Sequence, residues 1–405
     1  MSKWEEKRLE DIIDVNPPVK LKKGESYPFI DIDKVSPTRR SVTNEEVKVY
    51  DGQSSSKFCD GDTVFSRITP CLENRKIAKV TIEGDAAFGS TEFYVFRAKK
   101  KKADARFTYY LTSSDAVVLP AINSMTGASG RQRADKRFIQ RLKLNLPDLP
   151  TQERIADILS AYDDLIEANN RRIELLEQTA QELYKEWFVR FRFPGYENVQ
   201  FEDGIPEGWE IKRIVDLFDI TSSKRVYLAD YVDAGIPFYR SKEIIQLSQG
   251  QAITEPLYIS NAAYENFKSK YGAPEKNDIL ITSVGTIGVS YLVDGHEFYF
   301  KDGNLTWIKS GSNKVLSLFL FQWLNSQSGK QQLLQSTIGT SQSALTIENL
   351  KKIKLLVPTK ALIEDYYQKA HVMLEQKSAL QMNNRNLAVQ RDMLLPRLMS
   401  GKLEV

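Results

Sequence analysis

Residues 127–133 read Gly-Ala-Ser-Gly-Arg-Gln-Arg. Two glycines let a backbone come close to a ligand. Arg131, Gln132 and Arg133 are side-chain types that make paired hydrogen bonds to guanine and adenine edges in a DNA groove. Gly339-Thr340-Ser341-Gln342-Ser343 offers a similar mixture later in the chain, with Gln342 and Ser343 as its polar reach. Other loops combine basic and hydroxyl groups: Arg39-Arg40 and Arg67-Ile68-Thr69 early on, then Lys224-Arg225 and Tyr239-Arg240-Ser241-Lys242. The chemistry these residues suit is reading base edges and neutralising phosphates. The four-lysine run 99–102 reads first as a solvated turn and second as a phosphate contact, which positions a duplex without specifying its sequence.

Asn16-Pro17-Pro18-Val19 points to another chemistry. Asn-Pro-Pro followed by an aromatic holds the amine of a flipped adenine in many DNA methyltransferases, with the aromatic stacked on the base. Here valine and lysine follow instead. Fifteen residues precede the motif, too few for a cofactor-binding strand–turn–helix unit, and no Gly-x-Gly occurs anywhere. A proline-rigid loop is the expectation. Gly285-Thr286-Ile287-Gly288 lacks the Gly-Lys-Ser/Thr ending of a phosphate loop. Cys59, Cys71, His296 and His371 are too few and too dispersed for a zinc site, a disulfide framework or a histidine-based triad.

What must position the loops is a structure built twice. Trp4-Glu-Glu-Lys-Arg-Leu-Glu-Asp-Ile-Ile-Asp14 matches Trp209-Glu-Ile-Lys-Arg-Ile-Val-Asp-Leu-Phe-Asp219. In the same order, residues 62–66 resemble 278–282, 93–97 resemble 305–309, 142–147 resemble 353–358, and 169–171 recur as 383–385. Ordered matches of this kind indicate an internal duplication. Asn16-Pro17-Pro18-Val19 is not part of the shared plan, because its counterpart is Thr221-Ser222-Ser223-Lys224. Each unit opens with short strands bounded by Gly, Asp and Asn, with short helices between them, and closes with a long helix.

Pro150-Thr151-Gln152-Glu153 suits a helix start. From there Ile155, Leu159, Tyr162, Ile166, Asn169, Ile173, Leu176, Ala180, Leu183 and Trp187 follow at alternating spacings of four and three, a coiled-coil seam. Phe193-Pro194-Gly195 ends it. The second helix runs from about 362 to 398, with the seam Ile363, Tyr366, Ala370, Met373, Lys377, Leu380, Asn384, Leu387, Arg391, Leu394 and Leu398. One asparagine falls inside each seam, the type that fixes register when buried against a partner. So long a seam needs another helix to cover it, and its own repeat, running antiparallel, is the natural one. The expected shape is a pseudo-twofold rod with a head at each end.

The chain has 405 residues, 41% apolar and 27% charged, which suits a globular protein of two or three domains. Net charge is +3 overall, but residues 1–148 carry +6 and residues 196–358 carry −2. Only the first segment leans toward a polyanion. No apolar run approaches a membrane span, and the charged N-terminus lacks the core of a signal peptide, so the expected localisation is cytoplasmic.

Residues 147–195, closing Glu-Trp-Phe-Val-Arg-Phe-Arg-Phe-Pro-Gly, resemble the central region of type I restriction–modification specificity subunits. Ile205-Pro-Glu-Gly-Trp209 and Leu394-Leu-Pro-Arg-Leu-Met-Ser-Gly-Lys402 are similar to the same family. The resemblance covers the whole chain. Single motifs are loose, and the combination of duplicated heads with long helices is the specific part. It implies an α+β fold: two similar globular target-recognition domains separated by two long antiparallel helices that form an intramolecular coiled coil, a pseudo-twofold internal repeat. It implies target recognition domains at 1–148 and 196–358, with spacer helices at 149–195 and 359–405. Each head would read one half of a gapped, bipartite double-stranded DNA target. The helices would set the gap and dock two methyltransferase subunits, with restriction subunits joining to form the endonuclease. Catalysis, S-adenosylmethionine and ATP would belong to those partners, and this chain would hold no cofactor or metal. Two rival readings are a coiled-coil scaffold whose heads bind proteins, and a stand-alone adenine methyltransferase. The first is separated by whether the Arg131/Arg133 loop matters to DNA affinity, the second by S-adenosylmethionine binding to the isolated chain.

Overall fold

The computed structural model describes residues 4–43, 46–251, 253, 255–339 and 343–405. The chain divides into two compact units, Met1–Asn169 with Asn383–Val405, and Asn170–Met382. Both boundaries fall inside long helices, so each unit holds one head and a stretch of each helix.

In the first unit Trp4–Arg8 pairs antiparallel with Lys143–Pro147, Trp4 opposite Pro147, which ties the start of the head to its end. A five-stranded sheet follows the order Ile13–Val15, Phe93–Ala98, Thr63–Ser66, Ile77–Thr81, Ser41–Thr43. A four-stranded sheet follows Glu46–Val49, Ser26–Ile30, Ala87–Gly89, Ser56–Phe58. Thr63–Ser66 is buried throughout, as a central strand covered on both faces must be. Gly89 permits the close strand approach, since a Cβ there would lie 2.0 Å from the Ile30 carbonyl oxygen. Helix Ala105–Ser113 is capped by Asp104, whose carboxylate accepts the Phe107 N–H, and it buries Phe107, Tyr110 and Leu111. The same core continues through Ile155 and Leu159 of the central helix to Leu398 of the C-terminal helix.

The second unit repeats this scheme. Glu210–Arg213 pairs antiparallel with Lys354–Val357. Its four-stranded sheets run Asp219–Thr221, Leu305–Lys309, Ile279–Thr282, Ser290–Leu292 and Tyr231–Val232, Leu257–Ile259, Ile236–Tyr239, Tyr299–Phe300. The duplication holds at the level of register. Phe93 faces Ser66 in the first head, and Leu305 faces Thr282 in the second, joining the segments the sequence matches.

The central helix spans Leu149–Tyr184 and the C-terminal helix Lys360–Met399, about 54 and 60 Å at 1.5 Å per residue. In the first unit Asn169 Nδ2 donates to Asn384 Oδ1 at 2.9 Å and Asp163 pairs with Arg391. In the second, Glu177 pairs with Lys377, and the Tyr184 and Tyr366 rings sit 6.4 Å apart. Residue numbers rise along one helix as they fall along the other in both units, so the pairing is antiparallel in each. Every expected seam position of the C-terminal helix is buried or half-buried. So is every one in the central helix, although at half-buried Tyr162 and Leu183 the neighbouring Asp163 and Tyr184 are the more deeply buried. A 3.6-residue turn drifts against a strict heptad, which moves the buried stripe by one position. The expected continuation to Trp187 is a single π-helical turn, Lys185–Val189. It directs both Trp187 and Phe188 into the second core, where Phe188 lies 4.9 Å from the rings of Phe319 and Tyr366.

Candidate nucleic-acid interface

In the first head four of the expected residues converge. Arg133 forms bridges to both Ile68 and Thr126. The Thr69 N–H donates to the Gln132 carbonyl at 3.0 Å, and the Gln132 N–H donates back to Thr69 Oγ1 at 3.1 Å. The Arg67 N–H donates to the Glu92 carbonyl at 2.9 Å, and the Ala134 N–H to the Arg67 carbonyl at 2.8 Å. This folded-back segment lays the side chains of Arg67 and Arg133 on one carboxylate. Arg133 donates from Nε at 2.9 Å and from Nη2 at 2.6 Å to Glu92, while Arg67 Nε donates at 3.2 Å. The guanidinium of Arg67 also lies over the Tyr94 ring. Arg133, and then Arg67, hold the Glu92 carboxyl below the usual carboxylate range. Two guanidiniums on one carboxylate leave a net positive charge at a partly exposed junction. Arg131 is exposed, and its side chain makes no hydrogen bond or ion pair among the described residues. Gly127 and Gly130 adopt the left-handed φ values of +125° and +78° that fold this loop back.

Arg40 does not join that group. Its side chain is only 10% exposed, and it pairs with Asp164 at 2.5 Å and Glu167 at 3.2 Å on the central helix. Its charge serves the packing of head on helix, so Arg40 drops out of the candidate interface. Arg39 is exposed at the rim of the same cleft, about 480 Å³ in volume, which Tyr110, Asp163 and Arg391 also line.

The second head is more occupied. Arg240 sits on Glu243 at 2.6 and 3.2 Å, Lys242 on Glu255 at 2.8 Å and Arg225 on Asp302 at 3.4 Å. Lys224 lies over the Tyr271 ring. Tyr239 is a core residue, 5% exposed and stacked on Phe298, and therefore drops out as a groove contact. The end of strand Ile236–Tyr239 is buried on both faces, Phe238 in one apolar cluster and Tyr239 in another. Ser343 is exposed, its hydroxyl on the Gly339 carbonyl at 3.3 Å. Gln342, with Thr340 and Ser341, lies outside the described residues.

Asn16 has a structural task. It adopts φ +56°, its N–H donates to the Val95 carbonyl at 2.7 Å, and its side-chain oxygen accepts the Val95 N–H at 2.8 Å. The amide that would grip a base is spent on the sheet edge. Among the described residues no cluster of three or more His, Cys, Asp or Glu could hold a metal ion. No helix among them is long and apolar enough to cross a membrane.

Sequence reasoning missed Glu92. The signal was there: Glu92 and Asn304 immediately precede the matched strands Phe93–Ala98 and Leu305–Lys309. Similar positions on a repeated frame with different side chains mark where two heads diverge.

The comparisons point the same way. A model of the type I restriction modification DNA specificity domain matches residues 1–178 and again residues 206–373. The type I restriction enzyme MjaIX specificity subunit of Methanocaldococcus jannaschii is 24% identical, over 99% of this chain and 94% of that protein. The HindI specificity subunit of Haemophilus influenzae is 24% identical over 88% and 90%. In fold, the chain is similar to the crystal structure of a type I restriction-modification system S subunit from M. genitalium, with a TM-score of 0.57 at 14% identity over 98% and 96% of the two chains.

Proposed function

We infer that this chain, which belongs to the type I restriction–modification DNA specificity family, is the DNA-recognition subunit of such a system and reads a split target with one half-site per head. The carrying observation is the double match: one chain contains the specificity domain twice. A long helix follows each head's last strand, and the helices pair antiparallel within each unit. That pairing supports a spacer whose length sets the gap between half-sites, and whose outer faces dock two methyltransferase subunits. Restriction subunits complete the nuclease. The chain itself is non-catalytic in this reading. Its Asn-Pro-Pro loop is tied into a sheet edge, and S-adenosylmethionine and ATP are bound by the partners, in the cytoplasm.

The test is a methylation map. The chain is co-expressed with its type I methyltransferase subunit in a host lacking adenine methylation, and modified adenines are located by long-read sequencing. Two short defined sequences flanking a fixed undefined gap are expected. Absence of any such motif from a co-purifying, soluble complex overturns the reading.

A further inference from the structure

The two heads close the same backbone frame with different side chains. In the first, the Arg67 N–H donates to the Glu92 carbonyl at 2.9 Å and the Ala134 N–H to the Arg67 carbonyl at 2.8 Å. In the second, the Ser283 N–H donates to the Asn304 carbonyl at 2.8 Å and the Leu345 N–H to the Ser283 carbonyl at 2.9 Å. Bridges complete the match: Arg133 to Ile68 and Thr126, and Ala344 to Val284 and Ile338. Arg67, Glu92 and Arg133 therefore stand where Ser283, Asn304 and Ala344 stand in the repeat.

We propose that this frame is the main base-reading site of each head, with Glu92 the positioning residue that presents Arg67 and Arg133 to a guanine in the first half-site, and Asn304, flanked by Val284 and Ile338, reading an A·T pair in the second. The proposal rests on the DNA-recognition reading given above and names the residues that carry it.

The repeat supplies an internal control. Folding does not require charge at this junction. The second head closes it with no charged side chain at the matching positions among the described residues, the Ser283 hydroxyl lying on Thr306 Oγ1 at 2.7 Å. The arginines are thus carried for something other than the frame. Glu92 takes two N–H groups of Arg133 and one of Arg67. An arginine has five such donors. Beyond Glu92, Arg67 also engages the Tyr94 hydroxyl, and Nη1 of Arg133 has no hydrogen-bond partner among the described residues. Guanine presents two acceptors, N7 and O6, to a guanidinium, and two arginines fixed on one carboxylate reach them already ordered.

In the second head Asn304 is exposed, and the frame uses its carbonyl, leaving the side-chain amide without a partner among the described residues. An amide pairs with adenine N6 and N7. Val284 and Ile338 are 38% and 53% exposed on either side of Ala344. Exposed apolar side chains beside an amide match the methyl group of thymine.

The experiment maps methylation by the complex carrying Glu92→Gln, Arg133→Ala or Asn304→Ala, beside the parent. Glu92→Gln and Arg133→Ala are expected to relax one G·C position in one half of the motif by roughly tenfold or more. The other half and the gap stay as in the parent. Asn304→Ala relaxes an A·T position in the opposite half. Exchanging the triplet, Arg67→Ser with Glu92→Asn and Arg133→Ala, removes the guanine requirement altogether. An unchanged motif in soluble complexes of Arg133→Ala and Asn304→Ala overturns the assignment, as does equal loss across both halves. Should Glu92→Gln fail to fold, the two exposed substitutions decide alone. A parent complex without any two-part motif overturns the recognition reading itself, and the frame assignment with it.

Discussion

Asp163 is 3% exposed on the central helix, accepts the Tyr110 hydroxyl at 2.6 Å and faces Arg391. Removing one member of such a group leaves the others desolvated without a partner, which costs more than the pair contributes. Asp163→Ala is therefore expected to lower stability by about 3 kcal/mol, and Asp163→Asn by less, because it keeps an acceptor for Tyr110. Urea unfolding checks this, and equal midpoints for parent and Asp163→Ala would contradict it. Glu92 gives a pH dependence. Its folded-state carboxyl titrates below its ordinary value, chiefly through Arg133. The stabilisation is complete above the ordinary carboxylate range and disappears as pH falls through the lowered value. Melting temperatures of the parent and Glu92→Gln should differ at pH 7 and converge on acidification. At this scale sequence identified the cluster of Arg67, Thr69, Gln132 and Arg133 as four residues in two separate loops. It could not tell these arginines from Arg40, because the carboxylates that claim Arg40 lie over 120 positions away, at Asp164 and Glu167.

The long helices were the most legible elements, since a seam of four-and-three spacing survives without knowledge of its partner. Less legible was the path of the buried stripe past Asp163 and Tyr184, which depends on how far a real helix drifts from a heptad. The π-turn at Lys185–Val189 was invisible, because it answers the demand of one core for both Trp187 and Phe188. The pairing of Asn169 with Asn384 fixes the helices' register. Deleting the facing heptads 170–176 and 377–383 keeps that pair and removes about 10 Å from each helix. If the helices set the gap, the methylated motif should retain both halves and shorten its gap by about three base pairs, at 3.4 Å each. A shortened protein that assembles and methylates with the original gap would rule out the spacer role.

For the molecule as a whole, binding to its target should weaken steeply with salt, since phosphate contacts release counterions. Titration of the complex on a duplex carrying both half-sites, between 50 and 200 mM salt, should show a loss of roughly a hundredfold or more. A flat salt response would mean that the basic lean of residues 1–148 does not face DNA. The sequence alone determined the duplication, the two heads, the two long helices and their antiparallel pairing. These follow from periodicity and repetition, which are properties of the chain read in order. The sequence argued against a base-gripping role for the Asn-Pro-Pro motif by the missing aromatic and glycine-rich turn, and in the structure Asn16 extends a sheet edge against Val95. Tertiary structure alone decided which polar side chains remain available. Tyr239 was buried by a strand end covered on both faces, Arg40 was claimed by the central helix, and Glu92 bound two arginines from separate loops. Each of those outcomes depends on partners distant in sequence, and the energy of a charge or a ring is set by what folding places beside it, not by its neighbours in the chain.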